Sequence, residues 1–217
     1  SLDEIRSLNI FKKVDGEIKE GSNENLKVID ISVEEKPTGE ISLAAGVGTS
    51  GSTIGGGISE KNFLGKGINL DTFLEISENS IKGNFTYSKP NFAYSDNTLF
   101  TSIGSTTTDN LSTFGYKVSE IGFSLGTSLE QYENLYFSPT IKISLEDLTT
   151  DSSASNSLKK QEGSYNDLYF NYGLAYDLRN SGYRPNSGSK TNFYQELPIV
   201  SDINVINNTF IFTQYKQ

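Results

Sequence analysis

The chain has 217 residues and a formal net charge of −9, which allows one medium domain, with or without part of a second one, and argues against a nucleic-acid partner. It has no Cys and no His, which excludes disulfides, a cysteine nucleophile, a Ser-His triad and the usual zinc sites. It contains 29 Ser, 18 Thr, 20 Asn and 20 Gly, too many for a helical protein, and no apolar run approaches the roughly 20 residues of a spanning helix. We expect neither a helical membrane protein nor an enzyme, and we expect no bound cofactor or metal.

The first 36 residues have their own pattern. Ser1 can cap a helix whose apolar residues recur every third position, at Leu2, Ile5, Leu8 and Phe11. Two runs in which apolar and polar residues alternate follow, at 14–18 and 26–35, with a turn between them at 21–23. One helix and one hairpin bury little core, so residues 1–36 are predicted to be the C-terminal part of a small α+β domain.

Residues 37–40 form a predicted linker, because Pro37 and Gly39 both interrupt regular structure. Glu34, Glu35 and Glu40 flank it and could suggest metal binding or proton transfer. No nucleophile or second set of ligands accompanies them, so we interpret them as a solvated boundary.

From residue 41 onward, apolar and polar residues alternate with a period of two, which predicts β-strands. For example, Leu168, Phe170, Tyr172 and Leu174 share one face. The runs have about 9–11 residues, the length of a tilted strand that crosses a bilayer. We predict ten strands, near 40–48, 53–62, 67–77, 81–89, 97–107, 115–127, 134–148, 165–177, 189–198 and 204–215.

The composition of the two faces indicates that one side contacts lipid. The apolar faces carry no Lys or Arg before Lys89, which lies at a strand end, whereas the opposite faces are rich in Gly, Ser, Thr and Asn. A soluble β-sandwich also alternates and stays an alternative, although its strands are usually shorter. Lys117 and Ser119 interrupt the apolar positions of the sixth strand, which predicts a bulge or a later start of that strand. Pro139 lies within the seventh strand, where it lacks the backbone N–H that would donate to the neighbouring strand.

Several segments, in order and spacing, carry a specific resemblance. They are 33–48 across the linker, 58–67 with its Asn-Phe-Leu-Gly-Lys-Gly turn, 89–92 with Lys-Pro-Asn-Phe, and 176–189 with Tyr-Asp-Leu-Arg-Asn and Tyr-Arg-Pro-Asn-Ser-Gly-Ser. Together they are similar to the BamA family of outer-membrane protein assembly factors, in the POTRA-plus-barrel superfamily. The family's inward Arg-Gly-Phe loop has no counterpart in this sequence.

The resemblance implies a mainly β fold, in which a partial transmembrane antiparallel up-and-down β-barrel, with about ten of sixteen strands, follows a truncated α+β POTRA domain. Residues 1–36 would be the C-terminal part of the last POTRA domain and residues 41–217 the N-terminal part of the barrel. We expect the barrel in the outer membrane of a Gram-negative bacterium and the POTRA part in the periplasm. The Ser- and Thr-rich connection at 149–164 would then lie outside the cell.

The function that the resemblance implies is the folding and insertion of β-barrel proteins into the outer membrane. The expected partners are outer-membrane lipids, unfolded β-barrel client proteins and, through the POTRA domain, the lipoproteins of an assembly complex. Two alternatives stay open. The first is a related POTRA-barrel polypeptide translocator, of the two-partner-secretion or autotransporter-assembly type, and the second is a passive porin-like channel.

The first barrel strand is the candidate site, because the resemblance places a weak seam there. Its small side chains permit the seam to open, and a client strand could then pair with its edge by β-augmentation. The glycines equally suit a curved barrel wall, and both interpretations stay open. The strand consists of Ile41, Ser42, Leu43, Ala44, Ala45, Gly46, Val47 and Gly48.

Three predicted periplasmic turns supply structural residues. In the first, Gly65 and Gly67 set the backbone geometry and Leu64 is expected to pack at the rim. Asp177 and Arg179 are expected to form a structural ion pair, with each other or with partners in the lumen. The turn residues are Asn62, Leu64, Gly65, Gly67, Pro90, Phe92, Asp177, Arg179, Pro185 and Gly188.

The predicted outer connection is flanked by carboxylates. Glu146, Asp147 and Asp151 could attract divalent cations that bridge lipopolysaccharide.

Overall fold

The computed structural model describes residues 2–23, 26–48, 51–181, 185–202 and 204–216. In this part of the chain, no helix has the length and apolar character needed to cross a membrane.

A small unit at the N-terminus precedes the main sheet. It consists of α1 (Leu2–Ser7), β1 (Phe11–Glu20) and β2 (Lys27–Glu35). The expected helix through Phe11 is wrong, because Asn9 adopts a left-handed conformation with φ 57° and the chain continues as a strand. The predicted cap, Ser1, lies outside the described residues.

α1 packs on β1 at a glycine. A Cβ atom on Gly16 would lie 2.8 Å from Cδ1 of Leu2, so the Leu2 side chain fills the space that the glycine leaves. Gly16 lies opposite Ile31, and the neighbouring pair Val14 and Val33 supplies the buried Val14. The short helix therefore covers only the part of the hairpin around Val14 and Gly16.

All ten predicted barrel strands are present, which confirms the main part of the expected fold. The strands are β3 (Glu40–Gly48), β4 (Gly51–Phe63), β5 (Ile68–Ser77), β6 (Ser80–Lys89), β7 (Thr98–Asn110), β8 (Tyr116–Tyr132), β9 (Leu135–Thr150), β10 (Gly163–Asp177), β11 (Gly188–Val200) and β12 (Asn207–Tyr215). The connections contain a 3-10 turn at Phe92–Tyr94, α2 (Leu111–Phe114) and α3 (Asn156–Lys159).

The ten strands form one antiparallel sheet in chain order, so β3 and β12 are its two edges. Up-and-down order places the connections at 64–67, 90–97 and 178–187 at the same end as the linker 37–40, which we call the linker end. The connections at 78–79, 111–115, 151–162 and 201–206 lie at the opposite, distal end.

The register aligns the apolar side chains of neighbouring strands on one face. Ile143 of β9, for example, lies opposite Phe123 of β8 and Leu168 of β10. Side chains on this apolar face remain open to the surroundings, with Ile121 52% and Phe123 47% exposed. The sheet thus presents a continuous apolar surface on one side.

A second layer that would seal this surface is absent from the described residues. Phe170 and Tyr172 are only half-buried, and Leu174 is exposed. In the same part of the chain, the buried apolar side chains are Val14, Ile68, Leu148 and Ala154, too few for the core of a soluble domain. The sandwich alternative is therefore wrong, and the exposed face fits a surface that lipid covers.

The expected bulge or late start at Lys117 and Ser119 is wrong. β8 begins at Tyr116 and pairs with β7 in unbroken register, with Lys117 opposite Asp109 and their side chains 3.5 Å apart. A strand of 17 residues is about 56 Å long, far more than an apolar band about 25 Å tall requires even when tilted. The polar residues therefore belong to a strand end that extends beyond the band.

Pro139 is accommodated without a change of register, opposite Tyr172 of β10. The register shift between β8 and β9 lies instead between Glu130 and Tyr132, next to the turn at the linker end.

Candidate strand-pairing edge

β3 has a hydrogen-bonded neighbour on one side only. It pairs with β4 from Glu40 opposite Ser59 to Gly48 opposite Gly51. In an antiparallel strand the N–H and C=O groups point alternately to the two sides, so the groups that point away from β4 meet no strand within the described sheet. All eight predicted pairing residues, 41–48, lie on this edge.

The apolar side chains of β3 are the most open of the sheet's apolar face. Ile41, Leu43 and Val47 are 80%, 86% and 87% exposed, against about half for residues in the central strands. They lack neighbours on the free side, and an added strand would cover them. Apolar burial of this kind would stabilise a paired strand in addition to its backbone hydrogen bonds.

The glycines at this edge do not all have the same role. A Cβ on Gly57 would lie 2.9 Å from the carbonyl oxygen of Thr72, and one on Gly56 would lie 3.0 Å from Cδ2 of Leu43. Gly57 therefore requires glycine, because the backbone of the neighbouring strand approaches it closely, whereas the contact at Gly56 is with a flexible side chain that can move. Gly46 has no atom within 4 Å of the same position, so its lack of a side chain serves no packing in the described sheet.

Side chains add little to the pairing of β3 with β4. The hydrogen bond from Ser42 Oγ to the carbonyl of Gly57 is long, at 3.5 Å. The backbone ladder therefore supplies most of the interaction, and such a strand separates more easily than one held by side chains as well.

A shallow apolar groove of about 420 Å³ runs over the hairpin on the apolar face. Leu43, Ile54, Ile58 and Leu74 line it, and Gly56 leaves the space open. The groove lies on the surface that faces lipid.

The predicted Asn-x-Leu-Gly-x-Gly turn joins β4 to β5 at the linker end. The backbone N–H of Gly67 donates to Asn62 Oδ1 at 2.8 Å, and the N–H of Gly65 donates to the Asn62 carbonyl at 2.9 Å. Gly65 and Gly67 have φ of 68° and 62°, in the left-handed region that favours glycine. Asn62 therefore organises the turn through its side chain and its backbone.

The expected packing of Leu64 at the rim is wrong for the described residues. Its side chain is 73% exposed, and its φ of 56° places it at the tip of the turn, where it points away from the sheet.

The two other predicted turns are also described, except for residues 182–184, which include Tyr183 and Arg184 of the resembling segment. Pro90 and Phe92 lie in the connection from β6 to β7, where the Phe92 N–H donates to the Asn97 carbonyl at 2.9 Å. In the β10–β11 connection, which also contains Pro185, a Cβ on Gly188 would lie 2.1 Å from the Leu178 carbonyl oxygen. Only glycine fits there.

The predicted pair of Asp177 and Arg179 is formed in the same connection. The guanidinium donates from Nε at 2.8 Å and from Nη2 at 2.6 Å to the two carboxylate oxygens. Lys190 Nζ lies 3.7 Å from the same carboxylate. Such a bidentate contact fixes the geometry of the turn.

Sequence reasoning missed two polar contacts at the linker end. Glu60 accepts hydrogen bonds from the Thr38 hydroxyl and the Asn62 N–H, and Asn180 Oδ1 accepts from the N–H groups of Asn186 and Ser187, both at 3.1 Å. Thr38 and Glu60 are 22 positions apart, and the contacts of Asn180 depend on the path of the connection, so no local pattern predicts them.

The carboxylates near the distal connection do not form a cation site. Glu146 and Asp147 point to opposite faces of β9, and Asp147 accepts from Ser164 Oγ at 2.7 Å. Asp151 accepts from Ser153 Oγ at 2.6 Å and Ser153 N–H at 2.7 Å, and these bonds hold the pKa of its carboxyl below the ordinary value of 3.8. Across the described ranges, no three acidic residues gather as metal ligands.

The fold is similar to those of solved outer-membrane proteins. BamA from Haemophilus ducreyi lacking POTRA domains 1–3 matches with a TM-score of 0.78 and 22% identity, over 98% of this chain and 44% of that one. CdiB from Acinetobacter baumannii matches with a TM-score of 0.57 and 11% identity, over 96% of this chain and 41% of that one. This chain therefore spans less than half the length of either structure.

Comparison with curated proteins found no match. Residues 62–217, which hold the eight strands β5 to β12 and the last two residues of β4, match the Omp85 superfamily domain. With this match over most of the sequence and a barrel wall whose apolar face is open to lipid, the chain belongs to the Omp85 superfamily.

Proposed function

We propose that the intact protein folds and inserts other β-barrel proteins into the outer membrane, by pairing client strands with the free edge of β3. The single observation that carries the proposal is the weak attachment of β3: of the two edge strands it has the more exposed apolar side chains, at Ile41, Leu43 and Val47, and its side-chain hydrogen bond to β4 is long, at 3.5 Å. Unpaired backbone groups in lipid cost several kcal/mol each, so a template that satisfies them removes much of the barrier to insertion without ATP.

The same proposal assigns an orientation. Residues 1–36 are the C-terminal part of the last POTRA domain and lie in the periplasm, so the linker end is periplasmic and the distal end is outside the cell. Lipids cover the apolar face, and the polar face lines the lumen. The partners are unfolded β-barrel clients and, through the POTRA domain, lipoproteins of an assembly complex.

Disulfide crosslinking tests the pairing edge, and the chain has no native Cys that would interfere. A cysteine replaces Ser42 of the intact protein, and single cysteines are placed along the last strand of an unfolded β-barrel client. We expect each cysteine position on β3 to crosslink to one particular client position. Moving the cysteine by one residue along β3 should move the crosslinked client position by one residue.

The matched control is Ser102→Cys, because Ser102 occupies the same face of β7, in the middle of the sheet. Equal crosslinking at Ser102 and Ser42, or none at Ser42 while clients still fold, contradicts the proposal.

A polypeptide translocator is the second candidate, and the polar face favours it. This face carries Ser, Thr, Asn and the charged cluster of Lys142 with Glu120 and Glu196, a surface that an extended polypeptide could pass in water. Client crosslinks at Ser102 rather than at Ser42, with secretion of the client, would support this function.

A further inference from the structure

We infer that the two distal connections at 111–115 and 151–162 together form a binding site for a neutral sugar ring, a pyranose unit of a glycan. The site lies between α2 and α3, away from the edge of β3. The inference goes beyond the proposed function and takes from it only the orientation, which places the distal end outside the cell.

A shallow depression of about 560 Å³ lies between the two connections, within the range of small-ligand sites. Its lining combines two aromatic rings, one aliphatic side chain and three small hydroxyl side chains, and within the described residues no charged side chain lines it. A matching ligand is therefore uncharged, with an apolar side and several hydroxyl groups. The lining residues are Thr113, Phe114, Tyr116, Ser153, Ser155 and Leu158.

The two rings form a stacked pair at the surface. The centroids of Phe114 and Tyr116 are 6.5 Å apart, with 30° between their planes, and Phe114 is 61% exposed. Phe114 lies farther out than the pair of Lys117 and Asp109, which already extends beyond the apolar band, so acyl chains do not cover it. The C–H groups on one side of a pyranose ring pack favourably on the electron-rich face of such an aromatic ring.

The hydroxyl groups of the depression supply both donors and acceptors. Tyr116 Oη accepts from Asn110 Nδ2 at 2.8 Å, and Ser155 Oγ accepts from a backbone N–H of α3 at 3.3 Å. Within the described residues, each of these hydroxyls keeps its own proton for a ligand. Ser153 Oγ donates to the Asp151 carboxylate at 2.6 Å, so its lone pairs stay open to a donor. Sugar hydroxyls both donate and accept, and they match this mixed set.

The depression is preformed, because the two connections are bonded to each other. The Asp151 N–H donates to the Gly115 carbonyl at 2.9 Å. Gly115 has a φ of 72°, and a Cβ there would overlap the backbone nitrogen of Ala154, so glycine lets the connections meet. Lys159 Nζ donates to the Ser152 carbonyl at 2.7 Å, which fastens α3 to the same connection. A surface fixed in this way loses little conformational entropy when a ligand binds.

Saturation-transfer NMR tests the site in the intact protein in phospholipid nanodiscs. The probes are the methyl glycosides of glucose, galactose, mannose and N-acetylglucosamine. We expect magnetisation transfer from the protein to at least one of them, strongest at the ring C–H groups that pack on Phe114. Absence of transfer to all four probes overturns the inference.

The exposed ring is the side chain to vary. Phe114→Ala removes a largely exposed side chain, and we expect the Kd of the bound glycoside to rise about tenfold. Phe114→Tyr keeps a ring and should bind like the parent protein. Tyr94→Ala is the matched control, because Tyr94 is an exposed aromatic residue in a connection at the linker end, and it should leave the Kd unchanged. Equal affinity in Phe114→Ala and the parent, or equal losses in Phe114→Ala and Tyr94→Ala, overturns the inference.

Two sources can supply the sugar ring, lipopolysaccharide of the same outer membrane or a free glycan outside the cell. Nanodiscs that contain lipopolysaccharide distinguish them. Loss of the glycoside signal in these discs supports the site and identifies membrane sugars as its occupant, whereas an unchanged signal supports the site and identifies a free glycan. Client crosslinking at Ser42 should be the same in Phe114→Ala and the parent protein, so a failure of sugar binding leaves the pairing edge standing.

Discussion

The edge hairpin, β3 and β4, and the central wall, β7 to β9, are both antiparallel, but they differ in how side chains connect neighbouring strands. In the wall, side chains connect neighbouring strands, as in the bonds of Ser102 with Ser124 at 2.5 Å and of Ser144 with Glu120 at 2.7 Å. β3 and β4 share one side-chain bond of 3.5 Å within the described residues, and β3 has 9 residues where β8 has 17. The comparison teaches that stability across a barrel wall is uneven, and that β3, one of the two edge strands, is attached more weakly than the strands of the central wall.

The largest effect should come from filling space at a close approach. Gly57→Val would push a side chain against the Thr72 carbonyl, 2.9 Å from the new Cβ, and we expect a loss of about 1–3 kcal/mol in the free energy of unfolding. Gly46→Val, the matched variant on β3, should change it by less than about 0.5 kcal/mol. Urea unfolding in lipid vesicles measures both, and equal losses would show that β3 is as closely packed as β4.

A smaller effect is expected from the charged cluster of the wall. Lys142 lies 3.5 Å from Glu120 and 3.9 Å from Glu196, and its side chain is 31% exposed. Lys142→Met removes the cation that pairs with Glu120 and Glu196. We expect the free energy of unfolding to fall by about 1 kcal/mol.

The control is Lys82→Met, because the Lys82 side chain is more exposed, at 53%, and pairs within the described residues with one carboxylate, 3.7 Å away on Glu75. Its loss should be close to zero in the same urea experiment. If both variants lose the same free energy of unfolding, the cluster of Lys142 with Glu120 and Glu196 contributes no more to stability than the exposed pair of Lys82 and Glu75.

The smallest effect concerns the distal connection above the wall. The pKa of Asp151 is lowered, which means that the folded connection favours the ionised carboxylate. The contribution of Asp151 to the stability of the connection is therefore complete above pH 3.8. It is lost as the pH falls through the lower pKa of the folded state. The Ser153 amide resonance, followed by NMR from pH 7 to pH 2, should stay constant to about pH 4 and then shift. Asp151→Asn should remove this transition, and a transition near pH 6 would contradict the assignment.

The alternation of residue types predicted most of the fold. Runs such as Leu168 to Leu174 are long enough, and apolar enough on one face, to leave few alternatives to a membrane strand. The length of α1 was not predictable, because the spacing of Leu8 and Phe11 suits a helix while the left-handed Asn9 ends it. The bulge predicted at Lys117 is wrong because the alternation of residue types does not reveal that β8 continues beyond the apolar band.

The candidate site was predictable only in part. The small residues of β3 are visible in the sequence, but which glycines are required is not, since Gly57 meets the carbonyl of Thr72 and Gly46 meets nothing. The contact of Thr38 with Glu60 joins residues that are 22 positions apart, and no local pattern announces it.

The sequence by itself determined the strands and their two faces, because each depends on residues that are adjacent or two apart along the chain. Only the tertiary structure decided which positions need glycine and which carboxylates accept hydrogen bonds from other strands or turns. These properties depend on distances of about 3 Å between atoms of different strands, which the register and the turns set together.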